Sequence, residues 1–410
     1  MNMSFRDTIR IVFVIPSLVS GGMERVVVTL ANAFYKRGYE IDLWITSTGE
    51  GPSSKDILPG IHIVPLEFPG RGTYVNELLC GKNIFLAFWR LLLCACKYIW
   101  YWKDMVNTIY RYIGKRSPAF LICNHFSAPV IAAASKKEIK PCVIIIEHNT
   151  YSHLFTPYTS ALNDWFIKFF SSFFYKKADK VVGVSKGVID DLISVGIIDK
   201  KNACHIYNPI NLNALDVQVQ EIPNHVWLQK KTLPVFLSVG RLSEQKNYDV
   251  LLKAFALFKK KTDCRLIVLG EGTLRSSLEK LSRELSLTDS ISLPGFQSNP
   301  YAYMARADVF VLSSRFEGLP TVLLEALACG TTCVSTDCPS GPSEILANGQ
   351  LGYLVPVGSP EALSEGMRKA LDKPFPKEKL RQRAEDFSED KAIQAYINLF
   401  NELRPYHPQG

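Results

Sequence analysis

The segment that decides the fold is residues 309–330, VFVLSSRFEGLPTVLLEALACG. Its apolar beginning predicts a buried strand, and from Val322 the pattern predicts a helix that ends at Gly330. Glu317 lies in the turn between them, and Glu325 follows eight positions later. Because such a turn faces a helix N-terminus, the segment predicts a site for a phosphate joined to a sugar. The alternative is a purely structural turn with two solvated carboxylates.

The length of the chain indicates how many domains it forms, and its charge indicates which kinds of partner it could bind. The chain has 410 residues, enough for two domains, since single domains usually contain ~100–200 residues. The formal net charge is +8, and residues 1–200 hold 23 Lys and Arg against 16 Asp and Glu. A basic first half fits an anionic membrane surface or a diphosphate-bearing acceptor. No zinc-finger or RNA-binding aromatic motif supports nucleic acid as the partner.

The cysteines and the N-terminus favour a cytosolic protein. The ten cysteines form no C-x-x-C pair and lie in apolar segments, which predicts reduced thiols. Ile11–Ile15 is a short apolar run that ends at Pro16 without a cleavage site, so we interpret it as a first strand rather than a signal peptide. No Asp or His/Cys cluster has metal-binding spacing, so we expect neither a metal nor another cofactor.

Strands and helices alternate along the chain, which predicts an α/β protein with parallel sheets covered by helices. The alternation restarts after Asn208-Pro209, and residues 205–234 are the expected hinge. We therefore predict Rossmann-like domains over 1–208 and 209–386, followed by a terminal helical segment, 387–410. The predicted strands are 11–15, 40–46, 120–123, 142–147, 180–184, 234–240, 264–269, 290–293, 309–312 and 332–335.

Two aromatic and basic segments raise the question of a membrane. Residues 83–102 are strongly apolar, but Arg90 and Lys97 lie on one helical stripe, which predicts an amphipathic helix rather than a transmembrane one. Burial against the first sheet and shallow insertion in a membrane interface are both open for this helix. Residues 165–177 repeat the pattern with further Phe and Lys side chains. Together the segments favour a peripheral membrane face.

The spacing of Glu317 and Glu325 resembles the E-x(7)-E signature of retaining GT-B glycosyltransferases. The resemblance is strongest to glycosyltransferase family 4, the group 1 enzymes of bacterial surface polysaccharide synthesis, and it covers most of the chain. It implies a GT-B fold, in which two Rossmann-like domains face each other across a cleft and a C-terminal helix crosses back to the first domain. It also implies a nucleotide-sugar donor in the cleft.

Two cations follow the strand at 234–240, namely Arg241 and Lys246. Ligands of parallel sheets bind at this edge, and a diphosphate needs two or more fixed donors. Exposed cations of an ordinary loop are the alternative. The resemblance implies that this pair clamps the donor pyrophosphate and takes the role of a metal ion.

The resemblance implies roles for further residues at strand ends. His125 contacts the donor sugar and helps the oxocarbenium-like centre, whereas His148 is a candidate for contact with the acceptor. Glu317 positions a donor-sugar hydroxyl, and Glu325 holds the ribose. The other donor-binding residues are Gly21 and Gly22 beside the phosphates, Gly295 and Phe296 beside the nucleoside, and Gly318, Leu319, Pro320 and Thr321 beside the sugar. Segments 270–272 and 337–344 also match family patterns, with ordinary loops as the alternative.

These observations lead to a functional hypothesis. We predict a retaining, metal-independent glycosyltransferase at the inner face of the cell membrane. It would move a sugar from a nucleotide-sugar, a UDP-hexose or UDP-N-acetylhexosamine, to a polyprenyl-diphosphate-linked saccharide. The alternatives are an isomerase similar to UDP-N-acetylglucosamine 2-epimerase and a non-catalytic nucleotide-sugar-binding subunit.

Overall fold

The computed structural model describes residues 9–18, 21–45, 52–66, 103–124, 128–134, 141–152 and 161–404. They form two parallel β-sheets with helices packed against them. In the described residues, the first sheet has seven strands in the order β3-β2-β1-β4-β5-β6-β7. These strands are β1 (Arg10–Ile15), β2 (Glu40–Ile45), β3 (His62–Pro65), β4 (Phe120–Asn124), β5 (Cys142–Glu147), β6 (Lys180–Gly183) and β7 (Ala203–His205).

The second sheet has six strands within the described residues, in the order β10-β9-β8-β11-β12-β13. Its strands are β8 (Val235–Val239), β9 (Arg265–Leu269), β10 (Ile291–Gly295), β11 (Val309–Leu312), β12 (Thr332–Thr336) and β13 (Tyr353–Val355). Every strand pairing in both sheets is parallel. In each sheet the order reverses direction beside the first strand, and such a switch point opens a crevice at the carboxyl ends of the strands.

Helices connect successive strands and cover the sheets. They are α1 (Gly22–Lys36), α2 (103–116), α3 (Ala128–Ala134), α4 (Ala161–Tyr175), α5 (Lys186–Ser194), α6 (Leu212–Gln218), α7 (Val226–Gln229), α8 (Tyr248–Lys259), α9 (Arg275–Glu284), α10 (Pro300–Met304), α11 (Thr321–Ala328), α12 (Pro342–Ile345), α13 (Pro360–Asp372), α14 (Lys377–Ala384) and α15 (Glu389–Leu403).

The apolar runs in the sequence form the middle of each sheet. The predicted strands at 142–147 and 309–312 have the same bounds in the structure. For each of the other eight strands, the shifts at its two ends add up to three residues or fewer. The sequence does not predict β3, β7 or β13, which lie at sheet edges. An edge strand pairs on one side and is only partly buried, so it does not need the continuous apolar run that marks a central strand.

The C-terminal helix α15 returns to the first domain, as the resemblance implies. The Phe400 ring stacks on Phe120 of β4 with 4.1 Å between centroids, and it lies 5.5 Å from the Phe34 ring of α1. The two chain segments that connect the domains lie side by side, because Ile210 N donates to Phe387 O at 2.9 Å and Glu389 N donates to Ile210 O at 3.1 Å. The domain boundaries at 208 and 386 stay predictions.

The thiols and the membrane segments can be compared with the described part of the chain. The cysteines in the described residues are free thiols, and burial raises the pKa of Cys123 to about 12. Among the helices of the described ranges, none is long and apolar enough to cross a membrane. Residues 83–102 lie outside the described residues, so the choice between burial and membrane insertion stays open for that segment.

Candidate active site

A cleft of about 540 Å³ lies between the two domains at the carboxyl edge of both sheets. Its walls come from the loops that follow several strands of each sheet. The residues that line it are Gly21, Gly22, Met23, Glu24, Arg25, His148, Asn149 and Asn208 from the first domain, and Val239, Gly240, Arg241, Ser243, Gln245, Lys246, Leu269, Gly270, Glu271, Phe296, Gln297, Pro300, Glu317, Leu319, Pro320, Thr321, Val322 and Glu325 from the second.

Lys246 and Glu317 contact each other in the cleft. Lys246 Nζ donates to Glu317 Oε1 at 2.5 Å, and Ser314 Oγ donates to the same oxygen at 2.6 Å. Glu317 is 5% exposed, so both donors hold its carboxylate in one orientation in a poorly solvated place. Arg241 is exposed and lines the same cleft.

The loops after β8 and β11 are joined to each other, which fixes this geometry. We call residues 313–320 the Glu317 loop. Gln245 Nε2 donates to Phe316 O at 3.0 Å, and Arg315 N donates to Gln245 O at 2.8 Å. Asn247 adopts a left-handed conformation, with φ at 55°, and its Oδ1 accepts from Arg315 Nε. Since β8 and β11 are neighbours in the sheet, Lys246 reaches Glu317 across the edge.

Glu325 is the centre of a buried polar cluster between the domains. Its Oε1 accepts from Arg25 Nη1 at 3.0 Å and from the Tyr301 hydroxyl at 3.4 Å. The attraction of Glu325 raises the pKa of Arg25, and burial together with Glu325 raises the pKa of Tyr301. Oε2 of Glu325 is buried and accepts no hydrogen bond from the described residues. A buried carboxylate oxygen with spare acceptor capacity suits a ligand hydroxyl.

Two helix N-termini face the cleft without side-chain caps. Helix α1 has Gly21 as its N-cap residue, and α11 has Pro320, and neither side chain can accept a bond from the first turn. The first residues of both helices, Gly22 and Thr321, line the cleft. Uncapped N–H groups carry partial positive charge, which stabilises an anion bound between them.

The structure brings most of the predicted site residues together. Those that line the cleft are Gly21, Gly22, Arg241, Lys246, Phe296, Glu317, Leu319, Pro320, Thr321 and Glu325. Gly295 and Gly318 are not among the residues that line the cleft. A Cβ atom on Gly318 would stand 1.9 Å from the backbone oxygen of His148, so this glycine permits contact between the domains. His125 lies outside the described residues, and its role stays a prediction.

Sequence reasoning missed two members of the Glu325 cluster, Arg25 and Tyr301. Arg25 lies three positions after the predicted Gly22, and its place in the first turn of a helix beside the cleft was the available signal. Tyr301 has no such signal, because its contact with Glu325 exists only once α10 and α11 pack together. His148 lines the cleft, and its Nε2 lies 3.0 Å from Asn124 Oδ1, but its contact with the acceptor stays a prediction.

The fold and the cleft define an α/β protein of the GT-B class. Residues 220–389 match the family described as Glycosyl transferases group 1, and residues 20–214 match Glycosyltransferase Family 4. A 4-alpha-N-acetylgalactosaminyltransferase of Campylobacter jejuni, which acts on N-acetylgalactosamine-N,N'-diacetylbacillosaminyl-diphospho-undecaprenol, is 31% identical over 92% of this chain and 94% of its own. The chain therefore belongs to glycosyltransferase family 4, and it is a glycosyltransferase.

Solved structures show the same fold. A glycosyltransferase from Rickettsia africae superposes with a TM-score of 0.75 at 18% identity, over 98% of this chain and all of that one. The Anabaena protein HepE in complex with UDP and glucose gives a TM-score of 0.69 at 16% identity, over 96% of this chain and all of that one. Family membership sets aside the isomerase and the non-catalytic subunit as alternatives.

Proposed function

We propose that the protein transfers an N-acetylhexosamine from its UDP-sugar to a polyprenyl-diphosphate-linked saccharide, with retention of the anomeric configuration. The observation that carries the proposal is the cleft itself, where two cations, two uncapped helix N-termini and a buried carboxylate oxygen converge. A nucleotide-sugar has the matching groups, because its diphosphate suits the cations and helix N-termini and its ribose hydroxyls suit the carboxylate oxygen.

The phosphate end of the donor would bind between Arg241, Lys246 and the N-termini of α1 and α11. Among the described residues, a Cβ on Gly22 would meet only Thr321 Oγ1, at an ordinary 3.5 Å, whereas a Cβ on Gly21 would stand 2.2 Å from Glu24 Oε2, the end of a flexible side chain. The space beside Gly22 suits the phosphates. Fixed cations and helix dipoles offset the charge of the leaving diphosphate, so we propose catalysis without a metal ion.

The nucleoside end would be held by Glu325 and Phe296. Arg25 and Tyr301 occupy Oε1 of Glu325, which leaves Oε2 to accept a ribose hydroxyl. Phe296 is 49% exposed and lines the cleft directly after β10, where its ring and the neighbouring backbone, with Gly295 at the strand end, would frame the base.

The sugar end would be held by the Glu317 loop. Glu317 would accept from a donor-sugar hydroxyl, and Leu319 and Pro320 would shape the surrounding wall. In the reaction the bond from the anomeric carbon to the phosphate oxygen breaks, and a bond to the acceptor oxygen forms on the same face. The acceptor hydroxyl gives its proton to the leaving phosphate oxygen. His125 would lie beside the anomeric centre.

Relatives suggest the first substrates to test. The Campylobacter enzyme is a 4-alpha-N-acetylgalactosaminyltransferase that acts on a diphospho-undecaprenol saccharide, so UDP-N-acetylgalactosamine and a similar lipid-linked saccharide are the leading candidates here. The structure of HepE with UDP and glucose makes a uridine nucleotide the first choice over a guanosine one. This chemistry belongs to the synthesis of bacterial surface polysaccharide.

The acceptor's lipid would place the protein at the cytoplasmic face of the cell membrane. Helix α4 carries three exposed aromatic side chains, Phe169, Phe170 and Phe173, which are 58%, 49% and 51% exposed. The lysines 168, 176 and 177 beside them are also exposed. Exposed aromatic rings bordered by lysines suit the interface of an anionic membrane.

A donor screen with a defined acceptor tests the proposal. The purified protein is incubated with UDP-N-acetylgalactosamine, UDP-N-acetylglucosamine, UDP-glucose or GDP-mannose and an undecaprenyl-diphosphate-linked saccharide. We expect UDP release that depends on acceptor, and an α-linked product from an α-linked donor by NMR. A β-linked product would contradict retention. Activity that EDTA abolishes and Mg²⁺ or Mn²⁺ restores would contradict metal independence.

A further inference from the structure

The segment 337–344, which matches a family pattern in the sequence, contacts both domains rather than the cleft. We propose that Ser340 and Glu344 are positioning residues, which tie the Glu317 loop to the N-terminus of α5 in the first domain and thereby set the place of Glu317. The proposal rests on the proposed function, because Glu317 matters here as the group that would hold the donor sugar. Neither Ser340 nor Glu344 lines the cleft.

Glu344 belongs to the second domain, and its carboxylate accepts three hydrogen bonds from the first. Its Oε1 accepts from Gly187 N at 2.9 Å, and its Oε2 accepts from Lys186 N at 2.9 Å and from the Tyr207 hydroxyl at 3.0 Å. A carboxylate at a helix N-terminus accepts charge-assisted hydrogen bonds from backbone N–H groups, and the positive end of the helix dipole stabilises its charge. Burial and Glu344 raise the pKa of Tyr207 to about 12, so this phenol stays a donor.

Ser340 adds a directional chain of hydrogen bonds. Its Oγ lies 2.6 Å from Ser185 Oγ and 2.8 Å from the carbonyl oxygen of Gly318. A carbonyl only accepts, so the Ser340 proton points at Gly318, and the bond between the hydroxyls must be donated by Ser185. Ser185 Oγ in turn accepts from Val188 N at 3.2 Å as the α5 N-cap. Each hydroxyl donates once and accepts once, and such chains strengthen cooperatively.

Close packing keeps this connection stiff. A Cβ on Gly341 would stand 2.6 Å from Pro320 Cδ, and one on Gly187 would stand 2.8 Å from Ser340 Oγ. Gly318 also pairs with Asn149 of the first domain in an antiparallel bridge. The residue next to Glu317 is therefore held by the first domain on one side and by Ser340 on the other. A shift of α5 relative to the second domain must move the Glu317 loop.

Four variants test the proposal: Glu344→Gln, Ser340→Ala, Ser185→Ala and the Ser185→Ala/Ser340→Ala double variant. Ser343→Ala is the matched control, because Ser343 lies in the same short helix and its side chain takes no part in these bonds. We expect Glu344→Gln to lower kcat by roughly 10-fold and Ser340→Ala by about 2- to 10-fold. The affinity for UDP, measured by calorimetry, should change by less than about 2-fold, because Glu325 and Arg241 keep their places.

The kcat of the double variant should lie within about 2-fold of the kcat of Ser340→Ala alone, because both substitutions break the same chain of hydrogen bonds. Independent effects that multiply would overturn the shared chain. Equal losses in kcat and in UDP affinity would also overturn the proposal, because they would indicate a general loss of structure. An unchanged kcat in Glu344→Gln would overturn the positioning role of Glu344.

Amide hydrogen exchange gives a readout that needs no substrate. The amides of Lys186 and Gly187 donate to Glu344, so their peptide should exchange faster in Glu344→Gln, by about 10-fold or more, and at the wild-type rate in Ser343→Ala. Unchanged exchange would overturn the contact between the domains. If the wild type releases no UDP from any donor, the proposed function is wrong, whereas the exchange result still decides whether Glu344 ties α5 to the second domain.

Discussion

At the scale of single residues, the two cations after β8 have different surroundings. Lys246 contacts the buried Glu317, whereas Arg241 is exposed at the cleft. Both would face a leaving diphosphate in the proposed reaction. A charge-assisted hydrogen bond is worth ~1.5–3 kcal/mol, so its loss in the transition state lowers the rate by roughly 10- to 150-fold.

We therefore expect Arg241→Ala and Lys246→Ala each to lower kcat/KM by about that factor without changing the circular dichroism spectrum. The control is Lys253→Ala, which removes an exposed lysine of α8 whose ion pair with Asp249 is a surface contact. Its activity should match the wild type, since exposed ion pairs contribute little. Normal donor turnover in both cleft variants would refute the pyrophosphate assignment.

Substitutions of the two glutamates of the E-x(7)-E pattern should affect different quantities, UDP affinity in one case and kcat in the other. Glu325→Gln changes the group that would bind the ribose in both ground and transition states, so UDP affinity measured by calorimetry should fall. Glu317→Gln removes the charged partner of Lys246 but no nucleotide contact, so it should lower kcat without lowering the affinity for UDP. The reverse ranking would mean that the roles are exchanged.

At the scale of elements, α15 joins the C-terminus to the first domain. Phe400 is 4% exposed and packs between Phe120 and Phe34. Phe400→Ala should destabilise the first domain by about 3–5 kcal/mol, because truncating a buried aromatic side chain leaves a cavity. Gln394→Ala, on the exposed side of the same helix, should leave the melting temperature within about 1 °C of the wild type. Equal melting temperatures for both variants would contradict the docking of α15.

Strand β2 contains a buried acid, Asp42, which is fully buried and has Arg116 Nε 3.6 Å away. Burial raises the pKa of Asp42, so the folded protein holds this proton more tightly than the unfolded chain. The resulting stability is present below the pKa of an unfolded aspartate, ~3.9, and is lost as the pH rises through the folded pKa.

Asp42→Asn should therefore raise the melting temperature at pH 7.5 by about 1–3 °C, with a smaller difference near pH 4. Arg116 is partly exposed, so water can solvate it after the change. Scanning calorimetry at both pH values measures the difference. A lower melting temperature at pH 7.5 would show that the attraction of Arg116 outweighs the burial of the charge.

At the scale of the whole molecule, the basic first half and the exposed face of α4 should bind an anionic membrane. Each lysine near the surface contributes ~1 kcal/mol, and salt screens this attraction over ~8–10 Å. Sedimentation with anionic liposomes should be strong at low salt and reduced at high salt. Replacing Lys168, Lys176 and Lys177 by Glu should release much of the protein.

The control for membrane binding changes the net charge equally but in the second domain. Lys253, Lys260 and Lys261 are exposed there, and their replacement by Glu should leave most of the protein on the liposomes. Equal release by both triple variants would indicate an effect of net charge alone. If the wild type does not sediment with anionic liposomes at low ionic strength, the membrane proposal is wrong.

The sequence by itself determined the central strands, the two-domain α/β class and the family. A short apolar run bounded by turn residues in an alternating pattern predicts a buried strand from local sequence, and the E-x(7)-E spacing lies within one strand, one turn and one helix. The family resemblance selected Arg241, Lys246, Glu317 and Glu325 as site residues, and all four line one cleft, but their roles stay predictions.

Only the tertiary structure decided which groups meet across the cleft. Arg25 reaches Glu325 from 300 positions away, Glu344 binds the amides of α5, and Gly318 presses against His148. The edge strands β3, β7 and β13 belong to the same class, because pairing with a neighbour rather than local hydrophobicity makes them strands. Such contacts depend on how the two domains pack against each other, and no local pattern of residues encodes the distance between groups that lie far apart in the sequence.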